Sequence, residues 1–180
     1  MRQITTERLL IRPINQGDYG ELQAIILDPQ IVKYMRYRDV KTPANFEQLF
    51  ESHFLKEVQY TFGIEEKISH KLIGFYEFHP EAGVGILSYA LSQEAWGYGY
   101  VAEAGSAMMQ YGFEVLNFDK IEAHYAHLNP RSGRVMEKMG MSEIGVVETR
   151  ISPDTGEELF IMAYSLNQND WIMSHQVQAV

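Results

Sequence analysis

The stretch Gln93–Tyr100, QEAWGYGY, stands at the centre of the chain and runs directly into VAEAGSAMMQYGFEVL, residues 101–116. It places two glycines, Gly97 and Gly99, among three large aromatic side chains. The segment that follows is rich in good helix formers, which predicts a helix over 101–116. A bare backbone before a helix is either a tight turn or a place where the main chain contacts a ligand, because the first N–H groups of a helix have no partner within it.

Two apolar segments flank this helix and are interpreted as strands. Val84–Leu91 precedes the glycine segment, and Lys120–Leu128 follows the helix with an alternating pattern. A helix that joins two strands as a crossover makes them parallel neighbours in one sheet. The start of the helix then lies at the carboxyl end of the first strand, where open α/β sheets bind their ligands.

The rest of the chain completes a mixed α+β pattern. Further strands are predicted at Arg8–Arg12 (stopped by Pro13), Tyr60–Ile64, Lys71–His79, Ser142–Thr149 and Glu157–Leu166. Helices are predicted after the cap Asp18, after Thr42–Pro43, over Arg131–Met139 and over Asp170–Ser174, with a helical turn at Ile31–Arg38 and a loop turn at Ser152–Gly156. We expect a single domain over 1–180, with a central mixed, mostly antiparallel sheet of about seven strands flanked by helices.

Composition narrows the class of protein. The chain has 180 residues, of which 46% are hydrophobic and 22% charged, the balance of a globular protein. It contains no cysteine, which excludes disulfides, thiolate metal sites and cysteine nucleophiles. The spacing of the six histidines suggests no metal site. The net charge of -9 argues against nucleic-acid binding. It suits cationic substrates such as amines, but taken alone it is better explained by the acidity common among cytoplasmic proteins.

Targeting signals are not apparent in the sequence. The opening MRQITTERLLIRP carries charges within its short apolar run, which is unlike a signal peptide. No apolar run approaches the length of a membrane span. We therefore expect a cytoplasmic protein without a membrane partner.

Three separated motifs resemble those of one family. The glycine segment continues as WGYGYVAEA, Trp96 to Ala104, and the opening TERLLIR covers Thr6–Arg12. A third motif is formed by Asn129, Ser132, Glu137, Lys138, Gly140 and Met141. Together they resemble the GNAT N-acyltransferase fold, in the branch that contains the RimJ and RimL ribosomal-protein N-acetyltransferases, over nearly the whole chain.

The resemblance implies a donor and a binding mode. Acetyl-CoA would be the acyl donor, with no metal, and an amine would attack it directly within a ternary complex. Backbone groups of Ala90 and Leu91 would pair with the pantetheine arm. Asn129 and Ser132 would lie near the thioester. The N–H groups that would hold the pyrophosphate belong to Trp96, Gly97, Tyr98, Gly99, Tyr100 and Val101. Glu94 and Tyr98 replace residues that the family often uses as donors or cations, so the loop itself supplies no cation.

Candidate catalytic residues follow from the same comparison and from strand parity. Ser132 would stabilise the leaving thiolate, and Glu77, an acid within the aromatic strand GFYEFH, is the best candidate base, or else an exposed strand residue. Tyr89, His79, His124 and His127 are weaker candidates. Asn129 is equally interpretable as a helix cap, and Glu137–Lys138 is best interpreted as a solvated helix face.

The acceptor and the alternatives stay open at this point. The amine is expected to contact residues 14–59, with Tyr34, Arg36, Tyr37, Arg38 and Asp39 as a rim, and the turn at 150–157. It is a protein N-terminus, such as that of a ribosomal protein, or a small-molecule amine, and the enzyme a monomer or homodimer. A non-catalytic acyl-CoA sensor on the same fold is the alternative. A nucleotide-binding protein is disfavoured because neither a P-loop lysine nor a G-x-G-x-x-G run is present.

Overall fold

The computed structural model describes residues 3–152 and 154–176, and their contacts divide the chain into two compact units. The first unit takes in the described residues up to Phe78 together with Tyr89–Ala107. The second takes in His79–Ser88 and the described residues from Met108 onwards. The strands Lys71–Glu81 and Val84–Leu91 and the helix Tyr100–Glu114 each contribute residues to both units.

The described residues form one sheet of eight strands in the order β1-β2-β3-β4-β5-β6-β8-β7, with five α-helices. The strands are β1 (Ile4–Thr5), β2 (Leu9–Pro13), β3 (Thr61–Glu66), β4 (Lys71–Glu81), β5 (Val84–Leu91), β6 (Lys120–Ala126), β7 (Ser142–Ile151) and β8 (Glu158–Asn167). The helices are α1 (Tyr19–Ile26), α2 (Pro43–Leu49), α3 (Tyr100–Glu114), α4 (Pro130–Lys138) and α5 (Gln168–Gln176). The predicted mixed sheet flanked by helices is confirmed.

The crossover predicted around α3 is present. Val84–Leu87 of β5 pairs in parallel with Lys120–Ala123 of β6, while the pairs of β1 with β2, β2 with β3, β3 with β4, and β8 with β6 and β7 are antiparallel. The sheet gains one strand over the expected seven because Ile4–Thr5 pairs with Leu10–Ile11. This two-residue strand is too short to produce an alternating pattern in the sequence.

Several predicted boundaries move. β2 ends at Pro13, as predicted, but includes the proline, which lies opposite Phe62 of β3, since a proline is tolerated at a strand end. Ile31–Arg38 forms a succession of turns instead of a helix, with Met35 N–H bonded to Val32 O and Arg38 N–H to Met35 O. The turn at Ser152–Gly156 closes through Ser152 N–H to Glu157 O, and its Pro153 lies outside the described residues.

Asp18 has a different role from the predicted helix cap. Its side chain makes no capping bond to α1 and is buried against Arg12, with Asp18 Oδ1 2.7 Å from Arg12 Nη2 and Oδ2 2.8 Å from Nη1. Arg12 Nε also donates to Glu65 at 2.6 Å. A buried carboxylate needs such a partner, so this ion pair takes precedence over the cap and fixes the segment between β2 and α1.

The core of the first unit is largely aromatic. Phe46 of α2, Phe50 and Phe54 lie one turn apart and pack with Phe75 of β4 and with Tyr37, all of them buried. Thr42 caps α2 as predicted, accepting a bond from Asn45 N–H. The helix then widens into a π-helical turn over Phe50–Phe54, where Leu55 N–H bonds to Phe50 O.

In the second unit, α4 begins with Pro130 and ends before Gly140, whose φ of 81° gives the left-handed C-terminal residue that the sequence predicted. Gly133 of α4 lies against the ring of Tyr125 of β6, so the helix packs closely on the sheet. No helix among residues 3–152 and 154–176 is both long and apolar enough to cross a bilayer.

Replacement of Gly74 by alanine is expected to destabilise the protein by about 1–3 kcal/mol, the usual cost of overpacking. A Cβ at Gly74 would overlap the Ala90 carbonyl oxygen and the Leu91 side chain, and backbone cannot rotate out of the way. Urea unfolding measures the change. Gly20→Ala is the control, because nothing lies within 4 Å of its Cβ within α1 and alanine favours a helix. Equal stability of the two variants would contradict this account of β4–β5 packing.

Candidate functional site

The glycine segment forms a bare loop that ends in a row of unused donors. After a 3-10 turn at Gln93–Ala95, Gly97 and Gly99 have φ angles of 87° and 80°, a region that favours glycine. Glu103 N–H bonds to Gly99 O, the first such bond of α3. The backbone N–H groups of Gly97–Ala102 donate to no acceptor in the described part of the chain. Six successive donors at the positive end of a helix favour an anion.

Trp96 anchors the loop instead of supplying a donor to that row. Its backbone N–H bonds to Gln93 O within the 3-10 turn, and its indole Nε1 donates to Leu91 O at the end of β5, at 3.0 Å. The row of unused donors therefore begins at Gly97, one residue later than the resemblance implied. The bond from the Trp96 indole to the Leu91 carbonyl ties the loop to β5, the strand before it.

A cation does reach the loop, from the opening motif. The guanidinium of Arg8, just before β2, donates from Nη1 to Tyr98 O at 2.9 Å and lies 4.5 Å from the centre of the Tyr100 ring. Its side chain is 40% exposed, so the charge is open to solvent beside the loop. The loop's own sequence carries no cation, and 90 residues separate Arg8 from Tyr98, which is why the sequence did not reveal this arrangement.

Glu103 joins the opening motif to the helix. Glu103 Oε2 accepts from Arg8 Nε at 2.7 Å, while Oε1 accepts from Arg8 N–H at 2.8 Å and from Thr6 Oγ1 at 2.5 Å. Burial raises the pKa of Glu103, but the hydrogen bonds from Thr6 and Arg8 outweigh it and hold the pKa below its ordinary value. The carboxylate therefore stays ionised. Its hydrogen bonds join the opening segment TERLLIR to the glycine loop and helix in one network.

The loop aromatics pack on one another. The rings of Tyr98 and Tyr100 stack with centroids 5.7 Å apart, and Tyr100 Oη donates to Glu66 at the end of β3, at 2.6 Å. That hydrogen bond raises the pKa of Tyr100 and lowers that of Glu66. Tyr98 is 62% exposed, so it presents a flat apolar face to solvent beside the unused donors.

Ala90 and Leu91 lie at the buried end of β5. The parallel ladder with β6 ends at Leu87, whereas β5 continues to Leu91. Tyr89 packs its ring 5.2 Å from that of Tyr76, whose hydroxyl donates to Val101 O at the start of α3. Ala90 belongs instead to the aromatic cluster of Phe75, so Tyr89 and Ala90 occupy opposite faces of the sheet.

Glu77 is neither an exposed strand residue nor in direct reach of a substrate. Its exposure is 0%, and both carboxylate oxygens lie 2.7 Å from the hydroxyl of Tyr37. Its Oε1 is also 2.7 Å from Nε2 of His53, in the π-helical turn. Tyr37, expected on the rim of the acceptor site, is buried. Its burial raises the pKa of its hydroxyl, and the nearby Glu77 carboxylate raises it further. The hydroxyl therefore stays neutral and donates.

Asn129 and Ser132 lie together at the start of α4, in the second unit. Asn129 occupies the cap position, but its side chain makes no capping bond, because Nδ2 donates to Ser132 Oγ at 3.0 Å. Glu137, farther along α4, is exposed as expected and also accepts from Tyr164 Oη at 2.9 Å.

The candidates His127 and His124 have structural surroundings. His127 Nδ1 accepts from Phe160 N–H at 3.1 Å, its ring lies against that of Phe160, and β6 ends one residue earlier. His124 faces Glu122 on the surface at 3.4 Å. No group of three or more His, Asp or Glu side chains in the described ranges could hold a metal ion.

A crossover helix preceded by a glycine loop with unused N–H groups, on a mixed sheet, is the arrangement expected of the acyl-CoA N-acyltransferase fold. The chain belongs to the GNAT acetyltransferase family, because residues 8–142 match the model described as an acetyltransferase (GNAT) domain. It is 28% identical over 153 residues to the uncharacterized N-acetyltransferase p20 of Bacillus licheniformis, covering 82% of this chain and 86% of that one.

Solved structures have the same fold. The GNAT-family acetyltransferase from Bacillus anthracis superimposes with a TM-score of 0.80 at 24% identity, over 93% of this chain and 99% of that one. The spermidine N-acetyltransferase from Vibrio cholerae, in complex with CoA and spermine, gives a TM-score of 0.72 at 21% identity, over 92% and 98% of the two chains.

Replacement of Arg8 by methionine is expected to weaken CoA binding about tenfold, because the loop loses a nearby positive charge and the bonds that hold its shape. Isothermal titration with CoA measures the change. Arg150→Met is the matched control, since it removes the same charge from an exposed arginine that pairs with Glu148 on β7. If both variants bind CoA equally well, Arg8 does not support the loop.

Proposed function

We propose that this enzyme transfers the acetyl group of acetyl-CoA to a primary amine by direct attack in a ternary complex. The observation that carries the proposal is the row of unused N–H groups from Gly97 to Ala102, with the Arg8 guanidinium beside it. In a member of the GNAT family, this row is the natural place for the donor's pyrophosphate.

The donor is held mainly by main-chain groups. The pyrophosphate accepts bonds from Gly97, Tyr98, Gly99, Tyr100 and Val101, and Ala102 extends the row. Because the loop glycines carry no Cβ, and no described residue beyond the two chain neighbours lies within 4 Å of the place a Cβ of Gly97 would take, a phosphate can approach the backbone closely. Arg8 supplies the positive charge that Glu94 and Tyr98 do not.

The pantetheine arm extends along the end of β5. Ala90 and Leu91 lie beyond the last parallel pair of that strand, so their backbone groups can pair with an added extended chain. The Leu91 carbonyl accepts from Trp96, so the indole fixes the position of this end of the strand. The relative from Vibrio cholerae solved with CoA has the same fold, which supports an acyl-CoA donor here.

The reaction needs no reagent beyond acetyl-CoA and the amine. The neutral amine nitrogen attacks the thioester carbonyl carbon, and a C–N bond forms as the C–S bond breaks. The carbonyl oxygen carries the developing negative charge and needs a backbone N–H donor, for which we propose the end of β5. The thiolate leaves as CoA and takes up one proton, while the nitrogen loses one. Ser132 is our candidate for the hydrogen bond to the thiolate, a role that suits a hydroxyl better than full proton donation.

The acceptor is an amine, either a protein α-amine or a small-molecule amine. A protein N-terminus fits the RimJ/RimL-like branch suggested by the opening motif, including the N-terminus of a ribosomal protein. A polyamine fits the net charge of -9 and the spermidine N(1)-acetyltransferase of Vibrio cholerae, to which the chain is 24% identical over 144 residues. An α-amine with a pKa of about 7.7–8.0 needs less help to deprotonate than an alkylamine near 10.4.

Purified protein is expected to release CoA thiol from acetyl-CoA only when an amine is supplied. The panel is spermidine, glycinamide and an octapeptide with a free N-terminal amine, and mass spectrometry checks each product for one added acetyl group. Binding of CoA without acetylation of any member of the panel would favour the acyl-CoA sensor over the enzyme.

Leucine at Gly99 is expected to weaken CoA binding about tenfold or more, because a side chain at a φ of 80° reshapes the loop. Gly145→Leu in β7 is the matched control, since it has a φ of 108° and open space around it. Titration calorimetry with CoA compares the two. Intact binding by the Gly99 variant would show that the pyrophosphate lies elsewhere.

A further inference from the structure

The chain buries a carboxylate–imidazole pair on the face of the sheet that carries α1 and α2. His53 Nε2 lies 2.7 Å from Glu77 Oε1, and the Tyr37 hydroxyl donates to the same carboxylate. Glu77 has an exposure of 0%, whereas the His53 side chain is 19% exposed. The imidazole is therefore the member of the group that extends towards solvent.

The hydrogen bonds assign the protons of His53. With the Glu77 carboxylate as the hydrogen-bond acceptor, Nε2 carries the hydrogen that points at Glu77. In the neutral ring Nδ1 is then the unprotonated, basic nitrogen. Nδ1 forms no hydrogen bond within the described residues and is not among their enclosed side-chain atoms without a partner. It is consequently open to a ligand or to water.

The backbone around His53 is specialised. The π-helical turn Phe50–Phe54 directly follows α2, and single π turns within α-helices are frequent at functional sites. Phe50 and Phe54 are both buried in the aromatic cluster. The rings of Phe54 and Tyr37 lie 5.2 Å and 6.3 Å from that of His53, so the imidazole is held by packing as well as by Glu77.

The pair lies on the side of β5 that the reaction would use. Ala90, where we place the pantetheine arm, packs into the same buried cluster as Tyr37, Phe54 and Phe75. Glu77 follows Phe75 by two residues on β4, so both side chains point to this face. The guanidinium of Arg36, an exposed residue, lies 5.4 Å from the centre of the Tyr37 ring.

We propose that His53 Nδ1 is the proton acceptor for the attacking amine, with Glu77 and Tyr37 as positioning residues that hold the imidazole in the required tautomer. The inference rests on the proposed acetyl transfer and deepens it. The ammonium group gives one proton to Nδ1, directly or through one water, which yields a neutral amine and an imidazolium paired with the Glu77 carboxylate. The imidazolium then returns the proton to solvent after acetyl transfer.

This assignment changes the role of Glu77. A carboxylate that is fully enclosed by protein cannot contact the amine, so its negative charge acts through His53, as the carboxylate of an Asp–His pair does. Tyr37 donates to Glu77 and thereby fixes the carboxylate plane. Neither residue needs to touch the substrate.

His53→Gln tests the proposal, because glutamine keeps an N–H donor for Glu77 but offers no basic nitrogen. With the amine of the panel that the wild type acetylates fastest, we expect kcat to fall about 100-fold. The Kd for CoA should stay unchanged. We expect the kcat–pH profile of the wild type to rise through an ascending limb, and this limb should be absent from the variant. Tyr37→Phe should keep that limb with a smaller loss of kcat.

His70→Gln is the matched control, since it alters an exposed histidine that also faces a glutamate, with His70 Nδ1 3.4 Å from Glu65. A His53→Gln variant with wild-type kcat and pH profile would overturn the role of His53 while leaving acetyl transfer intact. A wild type that acetylates no amine would overturn both. The ¹⁵N NMR spectrum of the wild-type imidazole gives a test without any variant, because a proton on Nδ1 in place of Nε2 would contradict the assigned base.

Discussion

The ion pair between Arg8 and Glu103 is the interaction on which the rest of the donor site depends. Without it, six bare N–H groups at the start of α3 would belong to a loop with two positive-φ glycines and few contacts of its own. The carboxylate takes three hydrogen bonds from the segment before β2, and the guanidinium passes that constraint on to the Tyr98 carbonyl. Trp96 secures the other end of the loop on β5.

The sequence predicted the parts of the fold that depend on local pattern. The apolar segment Val84–Leu91 forms β5 with the predicted bounds, and Pro130 and Gly140 mark the ends of α4. The glycine loop followed by a helix fixed the crossover and hence the parallel pair. The strand Ile4–Thr5 was not predicted, because its pairing with β2 and not its composition makes it a strand. Asp18 was misread because Arg12, six residues earlier on β2, binds both of its carboxylate oxygens in place of the helix N–H groups.

The candidate site was predictable where the main chain forms it and less so where side chains meet across the sequence. Gly97 and Gly99 predicted the loop. The contact of Arg8 with Tyr98 was not predictable, because 90 residues separate them. Glu77 was singled out as an acid among aromatic residues, yet its neighbours His53 and Tyr37 are 24 and 40 residues away. His53 also continues the helical spacing of α2, so its pattern alone matches a core-facing position.

The π-helical turn makes the direction of one side chain depend on a residue count. An α-helix advances about 100° per residue, and the wider turn at Phe50–Phe54 holds one residue more than an α turn would. Removing Ser52 from this turn would restore a regular helix and rotate the His53 ring away from Glu77, although neither His53 nor Glu77 had been replaced. Length in this short segment is therefore as much a property of the site as chemistry, and deletions should be tolerated far less here than in the β7–β8 turn.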